Sequence, residues 1–464
     1  MLRSLHIFKG ISFLIIFLFS FTIVNGQESD AFTLKDCIDF ALENNSNLKM
    51  TQYSYEVSRK DELGSFQGIL PTVSASTGTG RIEVGPSEYL SNEPVGIDPQ
   101  TGNVIYEQRT RKIQKQFRES SNASLTASQT LFDGGIWWNN IRKAKIDKKS
   151  AEYNLQQQTN NIILQVQQAY FDLNKQIKLL EVNELAVKRS MDQQDRIEKM
   201  YELGARALLD VYQARVTLGN DRINMISQQN IVEQAKKYLN MVMGRDPFAP
   251  INTVSEITLA SELDDLDELI TEAMQNQPNL RKIEADIRSS ELTVSMAKGM
   301  NFPRLSAYVN YDRFHEDIIK VFSDFNKNYQ TRYGISLSFN IFNGFSDYVN
   351  VQKAEINRRY LMESQEDYKR SLVSEIHQHY TNYKSYQDII QINKQNLEAA
   401  HEGLRLAQER YQIGAGTFLE IREAQVNLTR AEQTLIAAQF NARIVLAQLD
   451  FSLGLTYKNY LNKL

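Results

Sequence analysis

The stretch Tyr411–Gln425, YQIGAGTFLEIREAQ, opens a segment that runs to Gly454, and its reading decides the fold. The same design occurs 210 residues earlier as YELGARALLDVYQAR, in a segment running from Tyr201 to Gly244. Tyr411 matches Tyr201, Gly414 matches Gly204, Glu420 matches Asp210, Ala424 matches Ala214 and Gly454 matches Gly244. Each copy reads as a helix end, a tight turn and a second helix running back. Gly414 falls where a left-handed helix C-cap is wanted. Thr417 and Glu420 then have capping-box spacing, so hydroxyl and carboxylate can each satisfy a free N–H of the next helix.

Outward from these tips the whole chain repeats. Asn44–Leu48 (NNSNL) aligns with Asn276–Leu280 (NQPNL), and Pro71 with Pro303, at an offset of 232. From Leu131-Phe132-Asp133-Gly134 against Ile341-Phe342-Asn343-Gly344 the offset becomes 210 and stays ungapped to the final glycine. The first copy therefore holds 22 extra residues between Pro71 and Phe132, where Gly85, Pro86, Pro94, Pro99 and Gly102 predict a long loop. All eight prolines lie between residues 71 and 303. Two long helices are thereby permitted, near Gly134–Leu203 and Gly344–Ile413, each of roughly 70 residues and on the order of 100 Å. Shorter helices over 33–67, 207–243, 264–299 and 417–453 sum in pairs to the same length, so two stacked end to end line one long helix. Leu428, Leu435, Ala442 and Leu449 fall seven apart, as do Leu218, Met225, Val232 and Leu239, the spacing of coiled-coil packing.

Between each short helix and its long helix lie two strand-like segments. In Arg332–Ile341, Tyr333, Ile335, Leu337, Phe339 and Ile341 alternate with polar or small residues, apolar on one side only. Arg304–Tyr311 alternates likewise, and Thr72–Val84 and Phe117–Leu131 occupy the same places in the first copy. A half-buried soluble sheet would show this pattern too. Four strands, however, cannot close a barrel, and lipid tolerates no open sheet edge. Either the strands sit in water against helices or several chains pool them into one barrel. The expected class is mostly α with a small antiparallel β part. Its organisation is a signal peptide (1–26), a first repeat (27–244), a linker (245–263), a second repeat (264–454) and a C-terminal tail (455–464).

Composition removes other classes. Mean hydropathy is −0.43 and no later stretch holds 18 uninterrupted apolar residues, so no transmembrane helix is expected. Arg3 and Lys9, the apolar run Ile11–Val24 and the polar Asn25, Gly26 and Gln27 predict a cleaved secretory signal peptide. A formal charge of −4 argues against a nucleic-acid partner. The one cysteine, Cys37, excludes an internal disulfide and reads as a small helix residue. His377 and His379 are two apart on a predicted helix, not at the i, i+4 spacing of a helical metal site. No phosphate-binding loop, dinucleotide fingerprint or nucleophile elbow occurs, so neither an enzyme nor a cofactor is expected.

With the paired tips, the LPTVSAS and FPRLSAY strand entries and the LFDGG and IFNGF exits in place, the mature chain resembles the TolC-like outer-membrane efflux proteins. The resemblance implies a homotrimer in the outer membrane that reaches into the periplasm. Its helices would form a long hollow α-barrel, and four strands per chain a shared twelve-stranded transmembrane β-barrel. It also implies a passive exit duct of a tripartite efflux or type I secretion system, served by an inner-membrane pump and by a periplasmic adaptor docking near Gly204 and Gly414. By position Glu420 and Glu423 correspond to acidic constriction rings, and Tyr411 and Asp210 to residues holding the entrance closed. The family's best-known member has an arginine where this chain has Gly416, so its link to Asp210 cannot form, and Arg206 of the first tip is the available substitute. The plainer readings are that Glu420 caps a helix, that Tyr411 packs in the hairpin, and that the protein is a non-conducting periplasmic coiled-coil scaffold.

Overall fold

The computed structural model describes residues 31–254 and 263–462, so the expected signal peptide and residues 255–262 of the expected linker lie outside the described residues. Two helices of 67 residues set its length. The chain runs α1 (Leu34–Asn44), α2 (Ser46–Gly64), β1 (Thr72–Val84), β2 (Ser87–Ile97), β3 (Val104–Ile113), β4 (Gln116–Phe132), α3 (Ile136–Glu202) and α4 (Leu208–Met243). It continues as α5 (Leu266–Asn276), α6 (Pro278–Gly299), β5 (Arg304–His315), α7 (Ile318–Val321), β6 (Tyr329–Ser338), α8 (Ser346–Gln412), α9 (Phe418–Ser452) and α10 (Thr456–Asn462). The long helices α3 and α8 each span about 100 Å. Leu428, Ala442 and Leu449 on α9 and Leu218, Val232 and Leu239 on α4 are buried along the expected seven-residue stripes.

The short helices do stack end to end, but two expected as continuous are each broken. The segment 33–67 divides at Asn45 and 264–299 at Gln277, both in extended backbone. The cause is the same in each repeat. Asn45 Oδ1 accepts from the Asn47 and Leu48 amides and caps α2, while its Nδ2 donates to Val242 O at the end of α4 (2.7 Å). Gln277 likewise caps α6, which starts with Pro278, and its Nε2 donates to Phe451 O and Ser452 O at the end of α9. The facing glycine completes each joint. Gly244 (φ +77) and Gly454 (φ +74) end α4 and α9, and a Cβ there would stand 2.7 and 2.8 Å from Asn44 O and Asn276 O. Only glycine allows both the left-handed turn and that approach. Cys37, fully buried in α1 beside this joint, has its thiol pushed up to about 12 by burial.

The strands form one antiparallel sheet in the order β1-β4-β5-β6, leaving β1 and β6 as its edges. Register puts Val73, Ala127, Val309 and Tyr333 in one row, with Ala75, Leu125 and Tyr311 in the next, on a largely apolar face. The opposite face carries Ser74, Thr126, Asn310 and Arg332, then Ser76, Ser124, Asp312 and Gln330. Tyr333 is 79% exposed and Leu337 70%. The last strand is displaced from its expected place at Arg332–Ile341. Its partner β5 begins at Arg304, opposite Ser338, directly after Pro303, which has no N–H to give, so Phe339–Ile341 have no ladder to join. Between β5 and β6, α7 and its loop are held by Arg313, whose guanidinium donates to the carbonyls of Ser323, Asp324 and Lys327 and lies over Phe325.

The interval expected as a long loop is instead the hairpin β2–β3, paired from Ser87–Ile113 to Ile97–Val104. Its prolines do not prevent this: Pro86 precedes β2, Pro99 sits in the turn, and Pro94 lies at the register shift of a two-stranded ribbon, where a missing N–H is tolerated. The expected C-terminal tail contains α10, which packs back on α3, with Tyr457 N donating to Asn160 Oδ1 (3.1 Å).

The joints carry a testable cost. Asn45→Ala removes a cap and an interhelix bond and should lower stability by about 1–2 kcal/mol. Gly244→Ala should cost more, because a left-handed residue with a Cβ adds roughly 1–2 kcal/mol to the clash with Asn44 O. Gly219→Ala, inside α4 with open space around it, is the control and should be neutral or stabilising. Thermal unfolding in detergent followed by circular dichroism decides; similar midpoints for the two alanine variants at glycine would refute the joint.

Candidate functional site: the paired hairpin tips

Both tips end their long helix in the same way. Ala415 N donates to Arg410 O (2.9 Å) and Gly414 N to Tyr411 O (3.2 Å), with Gly414 at φ +79. Ala205 N donates to Met200 O (2.8 Å) and Gly204 N to Tyr201 O (2.9 Å), with Gly204 at φ +72. These are Schellman turns, which satisfy carbonyls the helix leaves free. In the second tip Thr417 Oγ1 accepts from Glu420 N (3.3 Å), the hydroxyl half of the expected capping box. The Glu420 carboxylate instead faces Arg410 Nε across 3.6 Å. That arginine also donates to Ala415 O, so it braces its own turn.

The tips of the two hairpins meet within one chain. Ile197 and Val211 of the first, with Leu404, Tyr411, Phe418, Ile421 and Leu428 of the second, form one buried cluster. Tyr411 is 1% exposed there, and its hydroxyl has no hydrogen-bond partner among the described residues. Burial holds its phenol above the usual tyrosine range, against the opposing pull of the Arg206 charge. Arg206 crosses from the first tip, places its guanidinium 3.9 Å from the Tyr411 ring centroid and donates to Tyr411 O (3.3 Å). Gly416 leaves room for the second turn, since a Cβ there would lie 3.0 Å from Tyr411 N and 3.1 Å from Arg410 Cβ.

Of the remaining candidates, Asp210 lies close enough for its charge to act on the Tyr411 phenol, and Glu423 lies apart from the contact. Asp210 sits half-buried in the first turn of α4, where the helix dipole favours a carboxylate. Glu423 is exposed one turn above Glu420, and none of the ion pairs among the described residues involves it. Higher up, Arg189 of α3 forms a two-pronged pair with Glu432 of α9 (3.1 and 2.9 Å) and donates to Thr429 Oγ1. Sequence reading passed over this tie and over Arg410. A signal existed: the copies differ at these positions, Arg189 against Ala399 and Glu432 against Arg222. Residues that break an internal repeat mark where its two halves do different work.

Arg206 over a buried tyrosine predicts a local effect. Arg206→Ala should loosen the tips by about 1–2 kcal/mol, the range for a partly desolvated cation–π contact. Amide exchange measured by mass spectrometry should then accelerate over 203–206 and 412–416 and stay unchanged at the Gly244 joint. Uniform protection in variant and parent would reduce Arg206 to a surface residue.

Among the described residues no helix is long and apolar enough to cross a membrane, and no group of three or more His, Cys, Asp or Glu side chains could hold a metal. The sequence profile of the family described as outer membrane efflux protein matches residues 37–245 and 269–455. The probable efflux pump outer membrane protein TtgC of Pseudomonas putida KT2440 is 23% identical over 412 residues, covering 87% of this chain and 79% of its own. Outer membrane protein TolC of Escherichia coli K12 is 22% identical over 360 residues, 72% of this chain and 69% of its own. The fold is that of the Campylobacter jejuni CmeC outer membrane channel, with a TM-score of 0.74 at 17% identity, covering 93% of this chain and 89% of that one. It is also that of the Vibrio cholerae outer membrane protein VceC, at 0.73 and 16%, covering 91% and 96%. With both repeats spanned by the family profile and both hairpins, the joints and the shared sheet in place, this chain belongs to the outer membrane efflux protein family.

Proposed function

We propose that this chain is one protomer of a homotrimeric outer-membrane channel-tunnel, a passive exit duct in a tripartite efflux or type I secretion system. The observation that carries the reading is the sheet: four strands, two unpaired edges, one apolar face exposed and one polar face. Such a sheet is stable in lipid only if its edges pair with copies of themselves and close a ring. The apolar face then meets lipid and the Ser, Thr, Asn and Arg332 face lines water. The helices support the same assembly. Leu209, Tyr212, Val216, Ile223 and Ile226 on α4, and Ile389, Ile392 and Leu406 on α8 with Ile413 just after it, are exposed at coiled-coil spacing. Neighbouring protomers bury these seams and continue the helical wall.

The tips then form the periplasmic entrance, with Glu420 and Glu423 of three chains around the axis and Arg206, Tyr411 and Asp210 holding the hairpins together. A periplasmic adaptor docks on the turns at Gly204 and Gly414, and an inner-membrane pump supplies the energy. A ring of carboxylates attracts cations, and salt weakens that attraction as the Debye length falls from about 30 Å at 0.01 M to about 3 Å at 1 M.

Single-channel recording of the mature protein in planar bilayers tests the reading. Discrete, cation-preferring channels are expected. Glu420→Ala/Glu423→Ala should lose the preference at low salt and approach the parent at high salt. Of the single variants, Glu423→Ala should have the larger effect, because Arg410 already compensates Glu420. Folded oligomer that never conducts, even with Arg206→Ala, would favour the non-conducting scaffold.

A further inference from the structure

The hairpin β2–β3 is a feature of the first repeat alone, and the entrance reading leaves it without a task. It is jointed to the sheet. β1 stops at Val84 and β2 begins at Ser87, while β3 stops at Ile113 and β4 begins at Gln116, so both strands break at one level. Gly85 and Pro86 form one side of the break, where one residue has no Cβ and the other no N–H. Beyond the joint the shaft is charged on both faces: Glu88 pairs with Lys112 (2.9 Å), Glu107 with Arg109 (3.1 Å), and Glu93 with Arg111. The shaft also exposes Tyr89 and Leu90, and at the far end exposed apolar side chains gather with no ion pair among the described residues. Ile97 is 67% exposed, Tyr106 62%, and Val95, Val104 and Ile105 nearly half, all within one turn of the tip. The tip itself is well built, with Asp98 Oδ1 accepting from Gln100 N (2.9 Å) and Gly102 N donating to Asp98 O (2.9 Å).

An isolated two-stranded ribbon is marginal in water, and a bare apolar end makes it more so. A shaft charged on both faces cannot lie in lipid, which leaves a position over the water-filled mouth of the barrel. The reach is sufficient: eleven residues of β2 span about 35 Å, against a radius on the order of 12 Å for twelve tilted strands.

We propose that the three β2–β3 hairpins of the trimer bend inward at Gly85–Pro86 and pack their apolar ends on one another over the outer mouth, forming a second, external closure. The occupant of each apolar end is the same end of the other two protomers. This rests on the trimeric duct proposed above.

The test uses the full mature chain, with a native gel first. Cys37 is buried and its thiol is held protonated, so introduced thiols report alone. With Ile97→Cys, mild oxidation should link protomers into covalent dimers within the trimer. A thiol on the polar sheet face, Asn310→Cys, should react slowly with a bulky, membrane-impermeant maleimide offered from outside. Adding Ile97→Asp/Tyr106→Asp should speed that reaction while leaving the trimer intact. Trimers that give no cross-link, equal labelling rates, or quenching of a dye at residue 97 by brominated lipid would each overturn the closure while leaving the duct standing. Absence of a trimer on the gel would instead remove the assembly on which both rest.

Discussion

Everything outside the helices depends on the peptide groups along β1 and β6. Each edge strand presents N–H and C=O groups that no strand among the described residues satisfies, beside an apolar face that water disfavours. In water such edges invite uncontrolled pairing; in lipid each unsatisfied group costs several kcal/mol. One chain cannot meet both demands. The sheet therefore makes sense as a fraction of a closed ring, and the ring fixes where the helices begin, because β4 and β6 lead directly into α3 and α8. A soluble sheet of this size would need a helix laid across its apolar face. Among the described residues the helix on that side is the four-residue α7, held by Arg313 at one end of the strands.

The second organising element is the joint between stacked short helices. Asn45 and Gln277 do the same thing in the two repeats, each capping a new helix and donating to the carbonyl end of another. Each is met by a left-handed glycine whose missing Cβ admits the neighbouring carbonyl. Both copies carry the joint, which ties a wall of one long and two short helices together where the short ones meet. Elsewhere the copies diverge, at the tips (Arg206 against Gly416), in the ties between hairpins (Arg189 against Ala399) and in the inserted hairpin.

What could be read from the sequence follows the same division. The long helices, the stripes of Leu218 and Leu428 and the turns at Gly204 and Gly414 were legible, because periodicity and glycine position act locally. The breaks at Asn45 and Gln277 were not, since each depends on the end of a helix far along the chain. The β2–β3 ribbon was hidden by its prolines, which counted as loop signals until pairing showed where each one sits. The displacement of β6 came from a partner strand that starts only after Pro303. At the tips the candidate residues were legible by position and their partners were not: Glu420 meets Arg410, and Arg206 lies over Tyr411, contacts set by how two turns pack.

This division bears on how a passive duct is opened. Regions that must move lie at the low end of a protein's local stability. The shafts are held by the packing of α3 along most of its length and of α8 from Leu372 onward, and the joints by close glycine approaches. The tips have one small buried cluster, two Schellman turns, an exposed Arg410–Glu420 pair and the Arg206–Tyr411 contact. An exposed pair contributes under about 1 kcal/mol and a cation–π contact about 1–2 kcal/mol. A partner can shift a conformational equilibrium only by its differential affinity for the two states. Under the proposed function, holding the tips with so little keeps that requirement within reach of a single docking contact.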